Sequence, residues 1–232
     1  MPARPKRRGT RPARSSPHPK QTGPKQTGPK QTGARATRSA ERRETILAAA
    51  LEEFAAHGFE ATRLDDVAKR AGVAKGTIYL YFADKETLFQ ELIRWQLTPV
   101  IGTFAHAAHA DVPLRIITEQ LIEVFVREIY STRRKDVIRL IVSEGPRFPK
   151  LAEFYYREVL SRLLEVFRSI LRRAVERGEL ESDVFVRFPQ LLVSPGLVAI
   201  LWNGLFDRFE PLDPRALMRA HFDIVLGRGR SA

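Results

Sequence analysis

The sequence predicts an all-α protein of about nine helices, from three observations along the chain. Apolar residues recur at helical spacing through most of the chain after residue 39. Glycine and proline separate these segments at positions typical of helix ends. No run of alternating apolar and polar residues is long enough to indicate a strand. We therefore expect a disordered basic arm (1–38), a small helical domain (39–92) and a larger helical domain (93–232).

The first 43 residues carry the charge imbalance of the chain. They hold 13 Lys/Arg and one acid, whereas residues 44–232 hold 26 basic and 26 acidic side chains. Residues 20–33 repeat the pentad Lys-Gln-Thr-Gly-Pro, in which Gly and Pro forbid a continuous helix. We therefore expect disorder to about Arg38. A basic arm on a neutral body favours an anionic polymer or surface as partner, and a solvated tail or a wrongly assigned start is the alternative.

The small helical domain begins with a helix whose apolar face is well defined. This face holds Ile46, Leu47, Ala50, Leu51 and Phe54. We expect the helix to end at Gly58, a natural left-handed cap. Thr62 is then expected to open a second helix, with Asp65 three residues later completing a capping box.

A tight turn at residues 71–73 leads to two further helices. The third is short and covers about residues 75–81. Asp84 is expected to cap a fourth helix, whose apolar face holds Leu88, Phe89, Leu92 and Ile93. Pro99 and Gly102 are expected to interrupt that helix near its middle or to end it.

Five helices are expected in the rest of the larger domain, each bounded by Pro or Gly. They are a helix that starts after Pro113 and the segments 136–143, 150–177, 184–207 and 214–226. The segment 150–177 has the longest apolar stripe, and Gly178 stops it.

The last two predicted helices lack a polar face. Such helices must be buried on all sides, and terminal helices of a small chain seldom find that cover within one subunit. We therefore predict a homodimer in which two helices from each subunit form a four-helix bundle, with packing inside the monomer as the alternative. The predicted interface residues are Leu197, Leu201, Leu205, Leu217 and Ile224.

The most specific motif lies in residues 58–89. Two short helices joined by a turn containing Gly, the second rich in Lys, Thr and Tyr, are typical of a helix-turn-helix. The string GFEATRLDDVAKRAGVAKGTIYLYFADKETLF closely resembles the signature of the TetR family of bacterial transcriptional regulators. The detailed resemblance covers about residues 42–90, and the rest of the chain resembles the family only in its layout of helices.

The resemblance implies a regulator that binds a double-stranded DNA operator, palindromic if the protein is a dimer. Ile78 and Phe82 should face the core and hold the recognition helix in place. The expected DNA contacts are Thr62, Arg63, Lys75, Gly76, Thr77, Tyr79, Leu80, Tyr81 and Lys85. Lys75 is the best candidate for a contact to guanine O6/N7, and Gly76 lets the backbone approach the bases closely. For the two tyrosines, half-buried packing between helices is the alternative to phosphate contact.

This sequence departs from the family pattern at two positions. Ala74 stands where the family often has Ser, so no side chain caps the recognition helix there. Arg63 stands where the family often has Ser or Thr, and it offers a charged contact instead. Residues 44–94 hold six Lys/Arg against nine Asp/Glu. We therefore expect the basic arm to supply most of the non-specific attraction to DNA.

By the same resemblance, the larger domain should bind a small-molecule effector and form the dimer interface. The expected pocket residues are Phe104, Phe125, Phe148, Tyr155, Phe167 and Trp202. This aromatic lining suits a small apolar or aromatic effector, and each of these residues is alternatively a core residue. The leading hypothesis is a repressor that such an effector releases. The alternative is a DNA-bound architectural or protein-recruiting factor of the same fold without an effector.

Several function classes lack their signatures. The chain has no cysteine, which excludes disulfides, thiolate zinc sites and cysteine nucleophiles. His106 and His109 have no acidic or Cys partner at matching spacing, and no phosphate-binding Gly loop or nucleophile elbow is present. We expect neither enzymatic activity nor a cofactor or metal. No secretory signal or membrane span is evident, so we expect a cytoplasmic protein with no membrane partner.

Overall fold

The computed structural model describes residues 1, 3, 30–108 and 111–226, with only the backbone described for 30–34 and 225. The chain divides into two units, residues 1–38 and 39–232. Within the described ranges the regular elements are all helical, which confirms the predicted fold class.

Eleven α-helices lie in the described ranges: α1 (Lys30–Ala61), α2 (Leu64–Arg70), α3 (Lys75–Tyr79), α4 (Lys85–Ala108), α5 (Leu114–Val124), α6 (Arg134–Glu144), α7 (Pro149–Tyr155), α8 (Ser161–Glu176), α9 (Val184–Arg187), α10 (Gln190–Phe206) and α11 (Pro214–Val225). Two π-helical segments, π1 (Phe125–Tyr130) and π2 (Tyr156–Leu160), extend α5 and join α7 to α8. The number exceeds the expected nine because π2 divides the predicted helix 150–177, and a break at Phe188-Pro189 divides the predicted helix 184–207.

Helix α1 begins inside the segment that the sequence assigned to a disordered arm. The expectation of disorder to Arg38 is wrong for residues 30–38, which are helical. The third copy of the pentad, which starts at Lys30, lacks the closing proline of the first two copies. Without that proline, Gly33 is the main helix breaker of the third copy, and one glycine lowers the stability of a helix by about 1 kcal/mol. Extending a helix that is already formed also avoids the free-energy cost of nucleating a new one. Residues 2 and 4–29, which include the first two copies, lie outside the described residues.

The predicted stop at Gly58 is confirmed. Gly58 has φ 76° and ψ 171°, and this conformation divides the long first helix from a short turn that ends at Ala61. The ψ value places Gly58 in a glycine-only extended region rather than in the left-handed helical region expected for a cap. The chain therefore turns sharply before α2.

Helix α4 continues through Pro99 and Gly102, so the expected interruption is wrong. A proline in a helix removes one backbone hydrogen bond. Leu97, Val100 and Phe104 on the same helix are nevertheless buried, and each fully buried apolar side chain contributes about 1.5–3 kcal/mol. This burial outweighs the missing bond. The expected boundary between residues 92 and 93 therefore falls inside one helix.

Two apolar cores organise residues 39–226. The first contains the helix-turn-helix side chains Phe54, Ile78 and Phe82 together with Val137 of α6 and Leu151 of α7. The second is built from the C-terminal half of α4 and from α5, α8, α10 and α11. Because the first core includes α6 and α7, the small N-terminal domain is packed against the larger one.

Candidate nucleic-acid interface and ligand cavity

Helices α2 and α3 form the helix-turn-helix, with Gly72 (φ 65°) in the turn between them. Arg63 precedes α2 and Ala74 precedes α3, and neither side chain accepts a capping hydrogen bond. The missing cap at Ala74 was expected from its methyl side chain. The predicted capping box from Thr62 to Asp65 is wrong, because α2 starts at Leu64 and Arg63 takes the cap position.

Thr62 is buried and stabilises the DNA-binding domain instead of lying on its outer surface. Only 3% of the residue is exposed. Its Oγ1 donates to the carbonyl oxygens of Gly58 (2.7 Å) and Glu53 (3.2 Å). The hydroxyl thereby satisfies carbonyls near the end of α1, where helical partners are lacking. The expected DNA contact through this side chain is therefore corrected to a structural role.

Helix α3 has one buried face and one outer face. Ile78 and Phe82 are fully buried, as expected for the anchors of a recognition helix. On the outer face Tyr79 is exposed and Leu80 is 82% exposed. Lys75 and Gly76 are exposed beside them, whereas Thr77 is half-buried. We call the outer set Arg63, Lys75, Gly76, Thr77, Tyr79, Leu80 and Tyr81 the recognition surface.

Gly76 has no packing role among the described residues. A Cβ built on Gly76 would meet no described atom within 4 Å. Glycine inside a helix costs about 1 kcal/mol relative to alanine. An exposed helical glycine with open space around it fits the close approach of DNA to this backbone that the sequence predicts.

The two tyrosines of the recognition surface differ. Tyr79 is 50% exposed, which suits the phosphate contact expected of its hydroxyl. Tyr81 is half-buried, its ring lies beside Phe82, and its hydroxyl is 3.1 Å from Ser39 Oγ on α1. Helix packing, the alternative interpretation, thus accounts for much of Tyr81.

An ion pair joins α2 to the first residue of α3. Lys75 Nζ lies 2.8 Å from Asp65 Oδ1 and 3.1 Å from Oδ2. The hydrogen bond from Lys75 holds the pKa of Asp65 below its usual value, and the same bond raises the pKa of Lys75. Both groups are therefore charged at neutral pH.

Lys85 is half-buried and is held by the chain that follows α1. Its Nζ donates to the carbonyl oxygens of Glu60 (2.8 Å) and Thr62 (3.1 Å) and lies 4.8 Å from the centre of the Phe59 ring. Burial lowers the pKa of Lys85. In the structure the ammonium links the start of α4 to the chain that follows α1. Its expected phosphate contact stays a prediction.

The predicted cap of α4 is confirmed. Asp84 Oδ1 accepts a hydrogen bond from the backbone N–H of Thr87 at 2.7 Å. This bond holds the pKa of Asp84 below its usual value. The cap fixes the start of α4 next to the recognition helix.

A cavity of about 400 Å³ lies in the larger domain. Its walls come from α4, α5, α6, α7, α8, α10 and α11, and both π segments contribute lining residues. Among the described residues that line it, none is charged. The size and apolar lining are typical of a small-molecule site.

Four of the six expected pocket residues line this cavity: Phe104, Phe125, Tyr155 and Phe167. Phe148 does not, because its ring packs 4.8 Å from that of Phe59. Trp202 does not either, since its Nε1 donates to the Glu210 carbonyl oxygen at 2.7 Å and its ring packs against Phe206. The aliphatic majority of the lining, such as Leu164 and Ile200, was missed because nothing in a sequence separates such residues from ordinary core.

Three polar side chains interrupt the apolar lining: Tyr155, Gln190 and Ser194. Burial raises the pKa of Tyr155 to about 12, so its phenol stays neutral and can donate a hydrogen bond. Ser194 Oγ already donates to the Leu191 carbonyl oxygen at 3.0 Å. The cavity therefore suits an uncharged, mainly apolar molecule.

Helix α6 contacts both the cavity and the DNA-binding domain. Ile138 and Ile141 line the cavity. At the C-terminal end of α6, a Cβ on Gly58 would lie 2.7 Å from Glu144 Oε1. The turn that follows pairs Arg147 with Glu60 and places Phe148 against Phe59. One helix thus connects the cavity wall to the turn between α1 and α2.

The last two long helices leave apolar side chains exposed. Leu205 is 68% exposed and Ile224 is 81% exposed. Val198 and Phe206 of α10 are also exposed, as is Phe209 in the turn after α10. Leu201 and Leu217 are half-buried, as is Leu197, which also lines the cavity. Exposed apolar residues on these helices fit the homodimer interface that the sequence predicts.

None of the described helices is long and apolar enough to cross a membrane. Over the same part of the chain, His and acidic side chains form no cluster of three or more that suits a metal ion.

Two family profiles match the chain. Residues 46–92 match "Bacterial regulatory proteins, tetR family", and residues 118–223 match "Tetracyclin repressor-like, C-terminal domain". The first match contains the recognition surface, and the second contains most of the cavity lining.

Curated relatives and solved structures agree with these profiles. The HTH-type transcriptional repressor BepR of Brucella suis is 32% identical over 153 residues, which cover 62% of this chain and 71% of BepR. The transcriptional regulator FadR of Bacillus subtilis, solved in complex with stearoyl-CoA, has a TM-score of 0.64 at 21% identity, covering 79% of this chain and 97% of FadR.

A complex of SmeT with triclosan has a TM-score of 0.66 at 19% identity, covering 79% of this chain and 91% of SmeT. SmeT is described as the repressor of the Stenotrophomonas maltophilia multidrug efflux pump SmeDEF. At these identities the two solved structures show that the fold is shared.

Proposed function

Since the chain belongs to the TetR family of bacterial regulatory proteins and is a DNA-binding transcriptional regulator, we propose that it is a repressor released from its operator by an uncharged apolar molecule. The observation that carries this proposal is the cavity of about 400 Å³, because its described lining has no charge and includes α6, which also contacts the DNA-binding domain. BepR is named a repressor. The structures of SmeT with triclosan and of FadR with stearoyl-CoA are precedents for ligands in this fold.

The recognition surface is the part that contacts the operator. Lys75 and Arg63 supply the cations, Gly76 permits close approach, and Thr77, Tyr79, Leu80 and Tyr81 complete the contact area. Thr62 and Lys85 support this surface from behind through their hydrogen bonds to the chain around α1. The contacts divide into base readout by Lys75 and backbone positioning by the tyrosines.

The protein acts as a homodimer through α10 and α11. The exposed side chains Leu205 and Ile224 lie on these helices, and burying them against a second copy removes apolar surface from water. A twofold dimer presents two recognition helices to half-sites about 34 Å apart, which is the reason to expect a palindromic operator.

Release follows if the effector binds more tightly to a conformation that fits DNA poorly. Helix α6 is a direct connection for this coupling, because Ile141 lines the cavity and Glu144 lies against Gly58 three residues later. The alternative is an architectural or protein-recruiting factor without an effector. Such a factor does not require a cavity of this size, so the cavity favours the repressor. Enzymatic activity is not part of the proposal.

The test uses the duplex that the protein selects from a random DNA pool. Its complex with the protein is titrated with N-phenyl-1-naphthylamine, an uncharged apolar probe, and with 8-anilinonaphthalene-1-sulfonate, which adds a sulfonate to the same rings. We expect the neutral probe to fluoresce in the cavity and weaken the DNA complex, and the sulfonate to do so at least about tenfold less well, because burying an unpaired charge is costly. Equal effects of the two probes, or binding of neither, would contradict the proposed effector class.

The dimer is tested separately with Leu205→Glu combined with Ile224→Glu, because charges on both exposed helices prevent apolar association. We expect a monomer by light scattering, unchanged helicity and a loss of operator affinity. A matched pair of changes on exposed α8 positions, Glu165→Gln and Arg172→Gln, should leave the dimer intact. A variant that remains a dimer with Glu at both positions would refute this interface.

A further inference from the structure

Asp65 is the acidic group that holds the first residue of the recognition helix. Its carboxylate lies 2.8 Å from Lys75 Nζ although it belongs to α2, the preceding helix. The side chains are 35% and 55% exposed, respectively. The pair therefore lies at the edge of the surface that meets DNA.

This contact limits what Lys75 can do on DNA. An ammonium has three N–H donors, and Asp65 uses part of this capacity. The remaining donors suffice for two neighbouring acceptors such as O6 and N7 of guanine. A phosphate, in contrast, must compete with the carboxylate for the same positive charge.

From this geometry we propose that Asp65 is a specificity-determining residue: it orients Lys75 toward a base edge and suppresses its non-specific attraction to phosphates. The inference rests on the proposed base contact of Lys75. It adds that the carboxylate of Asp65 raises the ratio of operator affinity to non-specific affinity, at some loss of total affinity.

The neighbouring residue provides a matched control. Asp66 has the same charge, lies on the same helix and pairs with Lys69 at 3.6 Å. Lys69 lies on α2 itself and its side chain is 80% exposed. Replacing Asp66 thus changes the charge near DNA by the same amount without freeing a residue of the recognition helix.

The experiment measures binding of Asp65→Asn, Asp66→Asn, Lys75→Met and the double variant Asp65→Asn/Lys75→Met. Each variant is titrated against the selected duplex and against a scrambled duplex of equal length. Fluorescence anisotropy measures the affinity over a range of KCl concentrations. For D65N we expect affinity for the scrambled duplex to rise about three- to tenfold at 0.1 M salt, and the slope of log K against log [salt] to steepen by about 0.9 for each freed lysine. The selected-to-scrambled affinity ratio should fall.

The controls separate this effect from a general loss of negative charge. D66N should stay within about twofold of the wild type for both duplexes, because surface pairs of this kind contribute little. In the K75M background, D65N should change neither the ratio nor the slope. Thermal melting of all four variants establishes that each is folded.

Two different failures are distinguishable. If K75M weakens the selected duplex but D65N behaves like D66N, or acts equally in the K75M background, the role of Asp65 is refuted and the Lys75 contact stands. If K75M leaves the selected duplex unaffected, the proposed base contact of Lys75 fails, and the inference about Asp65 fails with it.

Discussion

The recognition surface and the cavity are assembled in opposite ways. The surface comes from one short stretch of chain, residues 63–81, and most of its residues are exposed. The cavity is lined by residues from Leu97 to Phe222, contributed by helices that are distant in sequence. The first depends on local helix geometry, whereas the second exists only after the larger domain has packed. A motif can therefore identify the DNA-binding function long before anything identifies the effector.

The two regions also differ in what holds them. Polar contacts support the recognition surface, such as those from Lys85 to the Glu60 carbonyl and from Tyr81 to Ser39. The cavity is bounded almost wholly by apolar side chains. Changes to the first region should therefore alter affinity for DNA with little change in folding. Changes to the second should act through shape and volume.

The largest expected effect is that of Gly76→Leu on operator binding. The new side chain meets no described atom of the protein, so the free energy of unfolding should rise by about 0.5–1 kcal/mol through helix propensity. Affinity for the selected duplex should fall at least about 100-fold, which corresponds to roughly 2.7 kcal/mol, because the backbone can no longer approach the bases. Anisotropy and thermal melting measure the two quantities.

Gly102→Leu is the control, because Gly102 is also an exposed helical glycine with open space around it but lies on α4. It should gain similar stability and keep its DNA affinity. If both variants lose DNA binding equally, the special role of Gly76 is disproved.

A smaller effect is expected from filling the cavity with Leu164→Trp. Leu164 lines the cavity on α8, so the indole ring of tryptophan has space there. Because this ring occupies part of the cavity, affinity for N-phenyl-1-naphthylamine should fall about tenfold, or roughly 1.4 kcal/mol. Operator binding without the probe should be unchanged. Fluorescence titration measures the loss.

Leu171→Trp, two turns later on α8, provides the comparison. Leu171 is fully buried in the second core and does not line the cavity, so overpacking there should destabilise the fold by about 1–3 kcal/mol. Equal destabilisation by both substitutions would mean that the cavity does not accept added volume.

The smallest effect is expected from Lys85→Met, which tests whether Lys85 stabilises the fold or contacts a phosphate. Loss of the two hydrogen bonds to carbonyl oxygens should lower the free energy of unfolding by about 1 kcal/mol, because the ammonium is still partly solvated. Lys69→Met, at an exposed site of the same domain, should change it by less than about 0.5 kcal/mol. A salt slope of DNA binding reduced by about 0.9 in K85M would show that Lys85 also makes the phosphate contact that the sequence predicts, and an unchanged slope would rule this contact out.

Much of the fold was predictable because it follows from local patterns. The shared helix face of Ile78 and Phe82, the stop at Gly58 and the cap by Asp84 follow from residues a few positions away. The same holds for the missing cap at Ala74. Helical spacing and capping chemistry fix such features whatever the rest of the chain does.

The errors arose where a distant partner decided the outcome. Pro99 is tolerated within α4 because burial on both sides of it compensates for the lost bond, and no window of sequence around Pro99 contains that information. The sequence predicted both Phe148 and Phe167 as pocket residues. In the structure the ring of Phe148 packs against Phe59 of the DNA-binding domain instead. The sequence shows which residues are aromatic, but it does not show which side chains they contact in the folded protein.

The sequence by itself predicted an all-α fold with a short recognition helix over about residues 75–81, because helix period and the turn at Gly72 are encoded locally, and the structure has this helix at Lys75–Tyr79. The DNA-binding regulator followed from the resemblance of residues 58–89 to the TetR signature. Tertiary structure alone decided that Thr62 turns inward, that Lys85 binds carbonyl oxygens near the end of α1 and that Asp65 pairs with Lys75. It also decided that nine segments line an uncharged cavity in the described part of the chain. The physical reason is that burial and ion pairing depend on which distant residues become neighbours, and that is settled only when the helices pack.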